Sequence, residues 1–135
     1  MIIFIGCVKK KENYPTYAQD LYKSTYFKYC LSYAKKLNPT KIYILSAYYG
    51  VLELTDIIAP YEKTLNNMNI KERKEWSKKV LKQLLDKKID FEDETLFLCG
   101  KKYREYLEPY FINCSSPFKN LNAIGKQLQF LKENI

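Results

Sequence analysis

A chain of 135 residues, 47% hydrophobic and 16% aromatic, is long enough for one domain with its own core, spanning residues 1–135, and too apolar to be disordered. Its formal net charge is +8, yet Arg73 and Arg104 are the only arginines among 23 basic residues, and histidine is absent. The missing histidine excludes Ser-His and Cys-His dyads and histidine metal ligands. The excess of lysine over arginine argues against bidentate base and phosphate readout, so nucleic acid is not the favoured partner.

The first apolar run, Ile2-Ile3-Phe4-Ile5-Gly6, reads as a strand buried on both faces. It is too short to span a bilayer and lacks a basic leader and a cleavage site, so the expectation is a cytoplasmic protein with no membrane segment. A polar loop follows from Cys7 to about Lys23. Ser24 is a good N-cap for an amphipathic helix that buries Phe27, Cys30, Leu31, Ala34 and Leu37 and stops at Asn38-Pro39. The second strand is Lys41 to Ser46. From Ala47 to Asn69 the chain reads as irregular, with Gly50 and Pro60 as punctuation, and a connection of this length is more often functional than plain.

Asn69, with Glu72 three residues on, opens a long helix whose buried stripe is Trp76, Val80, Leu81, Leu84 and Leu85. The third strand is Thr95 to Cys99. A short helix spans Lys101 to Leu107, a fourth short strand Tyr110 to Cys114. A terminal helix from Ala123 to Glu133 buries Ile124, Leu128 and Leu131. Alternation of this kind predicts an α/β fold: a Rossmann-like three-layer sandwich around a mostly parallel sheet of about four strands.

In such a sheet ligands sit beyond the carboxyl ends of the strands, which puts Cys7, Ser46, Cys99 and Gly100 on one rim. Lys9 and Lys10, just past the first strand, are candidates to hold an anion or to form a solvated charge run. Ser46, Tyr49 and Gly50 read either as a turn whose amides face a ligand or as a plain turn. Glu62, after Pro60-Tyr61, is the best carboxylate for proton transfer, with Asp20 and Asp56 behind it. Gly100 and Tyr103 open a helix at the rim. Tyr22 and Tyr61 belong to a set of loop tyrosines able to stack on a base or to cover the core. Cys7 is either a small core residue or a nucleophile activated by lysines. The four cysteines have no C-x-x-C spacing, so neither a zinc site nor a disulfide framework is expected, and no cofactor is implied.

Six ordered motifs resemble one family. Gly6-Cys7-Val8-Lys9-Lys10-Lys11 resembles the opening "GCSKKK" of small bacterial and phage proteins often labelled YaaA-like. Asp20-Leu21-Tyr22-Lys23-Ser24-Thr25-Tyr26-Phe27 is similar to their "ELYxSxLF", and Ser46-Ala47-Tyr48-Tyr49-Gly50-Val51-Leu52 to "SAKHGLL". Pro60-Tyr61-Glu62-Lys63-Thr64-Leu65 is similar to "PYDxTL", Cys99-Gly100-Lys101-Lys102-Tyr103 to "AGxxY", and Ile124-Gly125-Lys126-Gln127-Leu128 to "GIGxQL". Tyr48 and Tyr49 replace the Lys-His common in that family, and Val8 replaces its serine. The opening also faintly resembles the catalytic domain of archaeosine synthase.

The resemblance implies a site at the strand ends and nucleotide or nucleobase chemistry, with Ser24 and Gln127 added to the binding residues. The expected function is an N-glycosidic hydrolase or transferase acting on a nucleotide or nucleobase. Cys7, Asp20 and Glu62 are its catalytic candidates, and a phosphate-bearing small molecule is its partner. The alternative is a non-catalytic protein that binds or sequesters a nucleotide signal.

Overall fold

The apolar run at the amino terminus becomes the middle strand of the sheet in the computed structural model, which describes residues 1–135. The elements run β1 (Ile2–Gly6), β2 (Thr16–Tyr17), α1 (Ala18–Leu21), α2 (Thr25–Lys36), β3 (Lys41–Ser46), β4 (Gly50–Glu53) and β5 (Ile57–Ile58). They continue as α3 (Ile70–Asp86), β6 (Thr95–Leu98), α4 (Lys101–Arg104), β7 (Cys114–Ser115) and α5 (Ile124–Asn134), with 3-10 turns at Leu65–Asn67 and Glu108–Tyr110.

Five strands form one sheet in the order β4-β3-β1-β6-β7. β1 pairs in parallel with β3 and β6, and β6 with β7, while β4 runs antiparallel to β3. The fold is therefore α/β with a mostly parallel sheet. Successive side chains of a strand point to opposite faces. Ile2 and Phe4 join Tyr43, Leu45 and Phe97 beneath Trp76, Val80 and Leu84 of α3. Ile3 and Ile5 join Ile44 and Leu98 beneath Phe27, Cys30 and Ala34 of α2 and Leu131 of α5. Both faces are covered, which is why β1 has no polar residue.

The helix starts follow from their caps. Ser24 Oγ accepts from the Phe27 amide at 3.1 Å. Asn69 and Glu72 form a reciprocal capping box, at 2.9 and 3.1 Å. No helix is long and apolar enough to cross a membrane.

Four details depart from the sequence expectations. The stretch from Ala47 to Asn69 is not irregular throughout. β4 folds back on β3 as a hairpin with Ser46 opposite Gly50, and β5 pairs with β2. Gly50 has φ +82°, a left-handed conformation open to glycine at little steric cost, which closes a three-residue turn. The sheet thus has five strands, not four.

The last strand is Cys114–Ser115, not Tyr110–Cys114, because Pro109 holds Glu108–Tyr110 in a 3-10 turn. The helix after Gly100 ends at Arg104 rather than Leu107. Leu85 and Ile124 are 63% and 59% exposed. Leu85 lies one residue, about 100°, beyond Leu84 and so off the buried stripe, and Ile124 is the first residue of α5, ahead of the turn that packs.

Candidate functional site

Because β3, β1 and β6 are adjacent and parallel, their carboxyl ends bring three chain segments together. The Cys7 amide donates to the Leu45 carbonyl at 3.0 Å, and the Ala47 amide donates to Cys7 Sγ at 3.4 Å. On the other side, Gly6 lies against Cys99: a Cβ at position 6 would stand 2.9 Å from that of Cys99. Cys7, Ser46 and Cys99 thus line one rim.

Phenols fill the rim. Tyr103 Oη lies 3.3 Å from Cys7 Sγ. Tyr22 and Tyr61 share a hydrogen bond of 2.7 Å between their hydroxyls. Ser46 Oγ accepts the amides of Tyr48 and Tyr49, at 3.2 and 2.9 Å, and donates to Tyr61 Oη at 2.9 Å. Burial, reinforced by the neighbouring Cys7 sulfur, pushes the Tyr22, Tyr61 and Tyr103 phenols above the usual tyrosine range. At neutral pH all three are uncharged and able to donate.

One cation enters this cluster. Lys11 Nζ stands 4.4 Å from the centre of the Tyr61 ring and 5.8 Å from that of Tyr22, a cation–π arrangement. Burial holds its ammonium below the usual lysine range, while Cys7 and Glu62 act in the opposite direction. The carboxylate of Glu62 therefore belongs to the electrostatic surroundings of the same lysine.

Beside the rim opens a cleft of about 490 Å³ lined by residues that include Ala47, Tyr48, Glu62, Thr64, Trp76 and Lys79. Tyr48, half exposed, stacks on Tyr61 with ring centres 5.6 Å apart and planes inclined by 24°. Trp76 anchors the wall, its indole N–H donating to the Ser46 carbonyl at 3.0 Å. A smaller cleft of about 350 Å³ lies at the other end of β3, around Lys35, Thr40 and Glu53, and contains none of the candidate residues.

The structure brings Cys7, Tyr22, Ser46, Tyr61 and Tyr103 into one cluster, with Tyr49 edge-on to Tyr61 at 5.5 Å and bonded through its hydroxyl to the Ala59 carbonyl. Gly50 lies behind them under Gln83, whose side chain accepts from the Val51 amide at 2.8 Å and donates to the Tyr49 carbonyl at 3.0 Å. Glu62 is exposed at the lip of the cleft. Lys9 and Lys10 are exposed, and neither ammonium has a carboxylate partner. Asp20 is exposed on α1. Ser24 caps α2, and Gly100 is an exposed cap of α4. Gln127 is buried, accepting from Tyr26 Oη at 2.8 Å and donating to the Leu121 carbonyl at 2.7 Å.

Lys11 and Trp76 are site residues that sequence reasoning did not single out. Lys11 bridges to Tyr22 in an isolated antiparallel pair, which distinguishes it from Lys9 and Lys10 in a run that looks uniform. Trp76 reads as core from its helical spacing, and only its N–H, a donor that seeks a partner when buried, hints at a second role.

The sequence model of one family matches residues 2–133, and its description reads "Family of unknown function (DUF6884)". The chain belongs to that family. No curated protein and no solved structure matches it.

Proposed function

We propose that this DUF6884 member is an enzyme acting on a nucleotide or nucleobase at the strand-end rim, by hydrolysis or transfer at an N-glycosidic bond. The observation that carries the reading is the Lys11 ammonium 4.4 Å from the centre of the Tyr61 ring, beside Glu62 at the lip of a cleft whose walls include Tyr48 and Trp76. Breaking an N-glycosidic bond leaves positive charge on the sugar and negative charge on the departing base. A carboxylate at the lip can stabilise or attack the sugar carbon, or activate water against it. Neutral phenols and the Lys11 ammonium can donate hydrogen bonds to the departing base. Cys7 is the other nucleophile within reach of the cluster, and Tyr48 offers an exposed ring for a base. Lys9 and Lys10, exposed just past β1, would hold the phosphate. Asp20, exposed on α1, is the reserve carboxylate.

The resemblance of six motifs to those of the YaaA-like proteins supports nucleotide chemistry, as does the fainter likeness to archaeosine synthase. A Rossmann-like three-layer reading of the fold also supports a ligand at this end of the sheet. A second reading, binding without turnover, is favoured by one observation. The buried cluster contains no carboxylate or histidine, and Tyr48-Tyr49 stand where the YaaA-like proteins carry Lys-His.

Incubation with a panel of nucleotides, nucleosides and deazaguanine bases, with released base and sugar measured by chromatography, separates the two. Turnover that falls about 10²–10⁴-fold in Glu62→Gln supports the enzyme. Tight binding of a panel member with no turnover establishes the sequestering protein instead.

A further inference from the structure

α3 carries Lys71, Lys74, Lys78 and Lys82 at spacings of three, four and four residues. At 100° per residue these four fall within a stripe about 80° wide and, at 1.5 Å per residue, about 16 Å long. The stripe is opposite the buried residues Trp76, Ser77, Val80 and Leu84. All four lysines are exposed, and none takes part in any of the ion pairs of the structure.

The carboxylates of the same helix, Glu72, Glu75 and Asp86, border the stripe on its cleft side, about 20–80° beyond its edge, and none forms an ion pair with the four lysines. Glu72 is held in the capping box and Glu75 lines the cleft. Like charges at i,i+4, as in Lys74–Lys78 and Lys78–Lys82, destabilise a helix, so the stripe costs the fold something, and what it returns is a cation–π contact of Lys74 Nζ, 5.5 Å from the centre of the Tyr106 ring. Lysines elsewhere do find partners: Lys41 and Lys87 share Glu53. The amino-terminal half of α3 also forms one wall of the cleft, through Trp76 and Lys79.

We propose that this stripe is a track for the phosphodiester backbone of a single-stranded nucleic acid, one of whose bases enters the cleft beside Tyr48. The inference rests on the nucleobase reading of the cleft and names its substrate class as a polymer. Lysine ammoniums are point charges that follow phosphates without reading sequence. A base must be free of its duplex to reach a cleft of this size, which favours a single strand. Tyr48, stacked and half exposed, is held to α3 by Lys79 Nζ, which donates to its carbonyl at 3.0 Å, so the same helix carries both the basic track and an aromatic ring for a base, the two parts that single-strand binding combines.

The test is fluorescence anisotropy with labelled 15-nucleotide unstructured DNA and RNA at several salt concentrations. It compares the wild type with a Lys71→Gln, Lys74→Gln, Lys78→Gln, Lys82→Gln variant whose fold is checked by circular dichroism. Glutamine preserves helix propensity. For four phosphate contacts the wild type should show a slope of log K against log[salt] of about −3, from −0.7 per phosphate. The variant should lose most of that slope and at least tenfold in affinity at 0.1 M salt, with mononucleotide affinity unchanged.

Equal oligonucleotide binding by the two proteins overturns the track and leaves the cleft reading standing. No binding by the wild type overturns the track as well. So does stripe-dependent binding to phosphatidylserine vesicles in place of oligonucleotides, which would assign the stripe to a membrane surface. Stripe-dependent oligonucleotide binding that is indifferent to Tyr48→Ala and accompanied by no mononucleotide binding supports the track and removes the cleft reading.

Discussion

Ser46 Oγ stands 2.9 Å from Tyr61 Oη and also accepts the amides of Tyr48 and Tyr49. One buried hydroxyl thereby ties the end of β3, the hairpin turn and the segment after Pro60 to each other. With both lone pairs occupied by amides, its proton is committed to Tyr61. The phenol is in turn shared with Tyr22 at 2.7 Å, so each member of the set depends on the others.

That dependence predicts strong coupling. Tyr61→Phe keeps the ring that stacks on Tyr48 and strands the hydroxyls of Ser46 and Tyr22. Ser46→Ala strands two amides. Leaving buried polar groups unpaired costs about 1–3 kcal/mol in each case. In urea denaturation the double variant should lose less than the sum of the singles, by about 0.5–3 kcal/mol. Strict additivity would show that the two residues do not act as one network.

Gly50 is the residue on which the hairpin turns. Its φ is +82°, and an added Cβ would stand within clashing distance of Gln83 Oε1, the atom that accepts the Val51 amide. Gly50→Ala should therefore combine backbone strain of about 1–2 kcal/mol with loss of hydrogen bonds worth about 1 kcal/mol each. Gly125→Ala is the control: nothing lies within 4 Å of its added Cβ, and alanine in a helix is favoured by up to about 1 kcal/mol. Opposite signs in thermal melting are expected, and a Gly50→Ala protein as stable as the parent would contradict this account of the turn.

Alkali should unfold the protein cooperatively. Tyr22, Tyr103, Cys30 and Cys99 are all buried. Burial raises the two phenols and the Cys99 thiol and pushes the Cys30 thiol up to about 12. Between the unfolded and folded pKa of such a group the unfolded chain binds fewer protons, so stability falls as pH rises. The loss should begin near pH 9, where free thiols titrate, and steepen above about pH 10 as the tyrosines join, at about 1.4 kcal/mol per pH unit for each group. Lys11, with its ammonium lowered by burial, acts in the opposite direction just below its ordinary range and offsets one group of several. Urea titrations from pH 8 to 11, with phenolate absorbance followed at 295 nm, measure this. If all 13 tyrosines ionised together near pH 10 in a protein that stayed folded, the buried phenol cluster would be excluded.

The α/β character and the mostly parallel sheet were legible because they are written in local patterns. Ile2–Gly6 and Ile42–Leu45 are unbroken apolar runs, Ser24 and Asn69 are recognisable caps, and the alternation of strands with helices predicts parallel pairing. The rim followed from the same logic. The hairpin was harder to read: Ser46-Ala47-Tyr48-Tyr49-Gly50 signals a turn, but Val51 and Leu52, buried on opposite faces, show no alternation to mark the strand that returns. Tyr22 and Tyr61 meet because Thr16–Tyr17 pairs with Ile57–Ile58, and a two-residue strand has no period to detect. Lys11 was indistinguishable from Lys9 and Lys10 for a related reason: what separates them is a single long-range bridge to Tyr22.

Cys7 should be the most reactive of the four thiols. Cys30 and Cys99 are buried, while Cys7 and Cys114 are half-buried. Burial and the nearby Glu108 raise the Cys114 thiol, which disfavours its nucleophilic thiolate. Cys7 differs in its neighbours: the Ala47 amide at 3.4 Å, the Tyr103 hydroxyl at 3.3 Å, and the Lys11 ammonium whose own pKa responds to it. Iodoacetamide at pH 7.5, with peptide mapping by mass spectrometry, should label Cys7 several-fold faster than Cys114 and leave Cys30 and Cys99 untouched until the protein unfolds. Lys11→Met removes the cation and should slow labelling of Cys7 without changing that of Cys114. Any nucleotide that occupies the cleft should protect Cys7 alone. If Cys114 is labelled first, the amide, phenol and ammonium around Cys7 serve packing, and the nucleophilic role at the rim falls to Glu62.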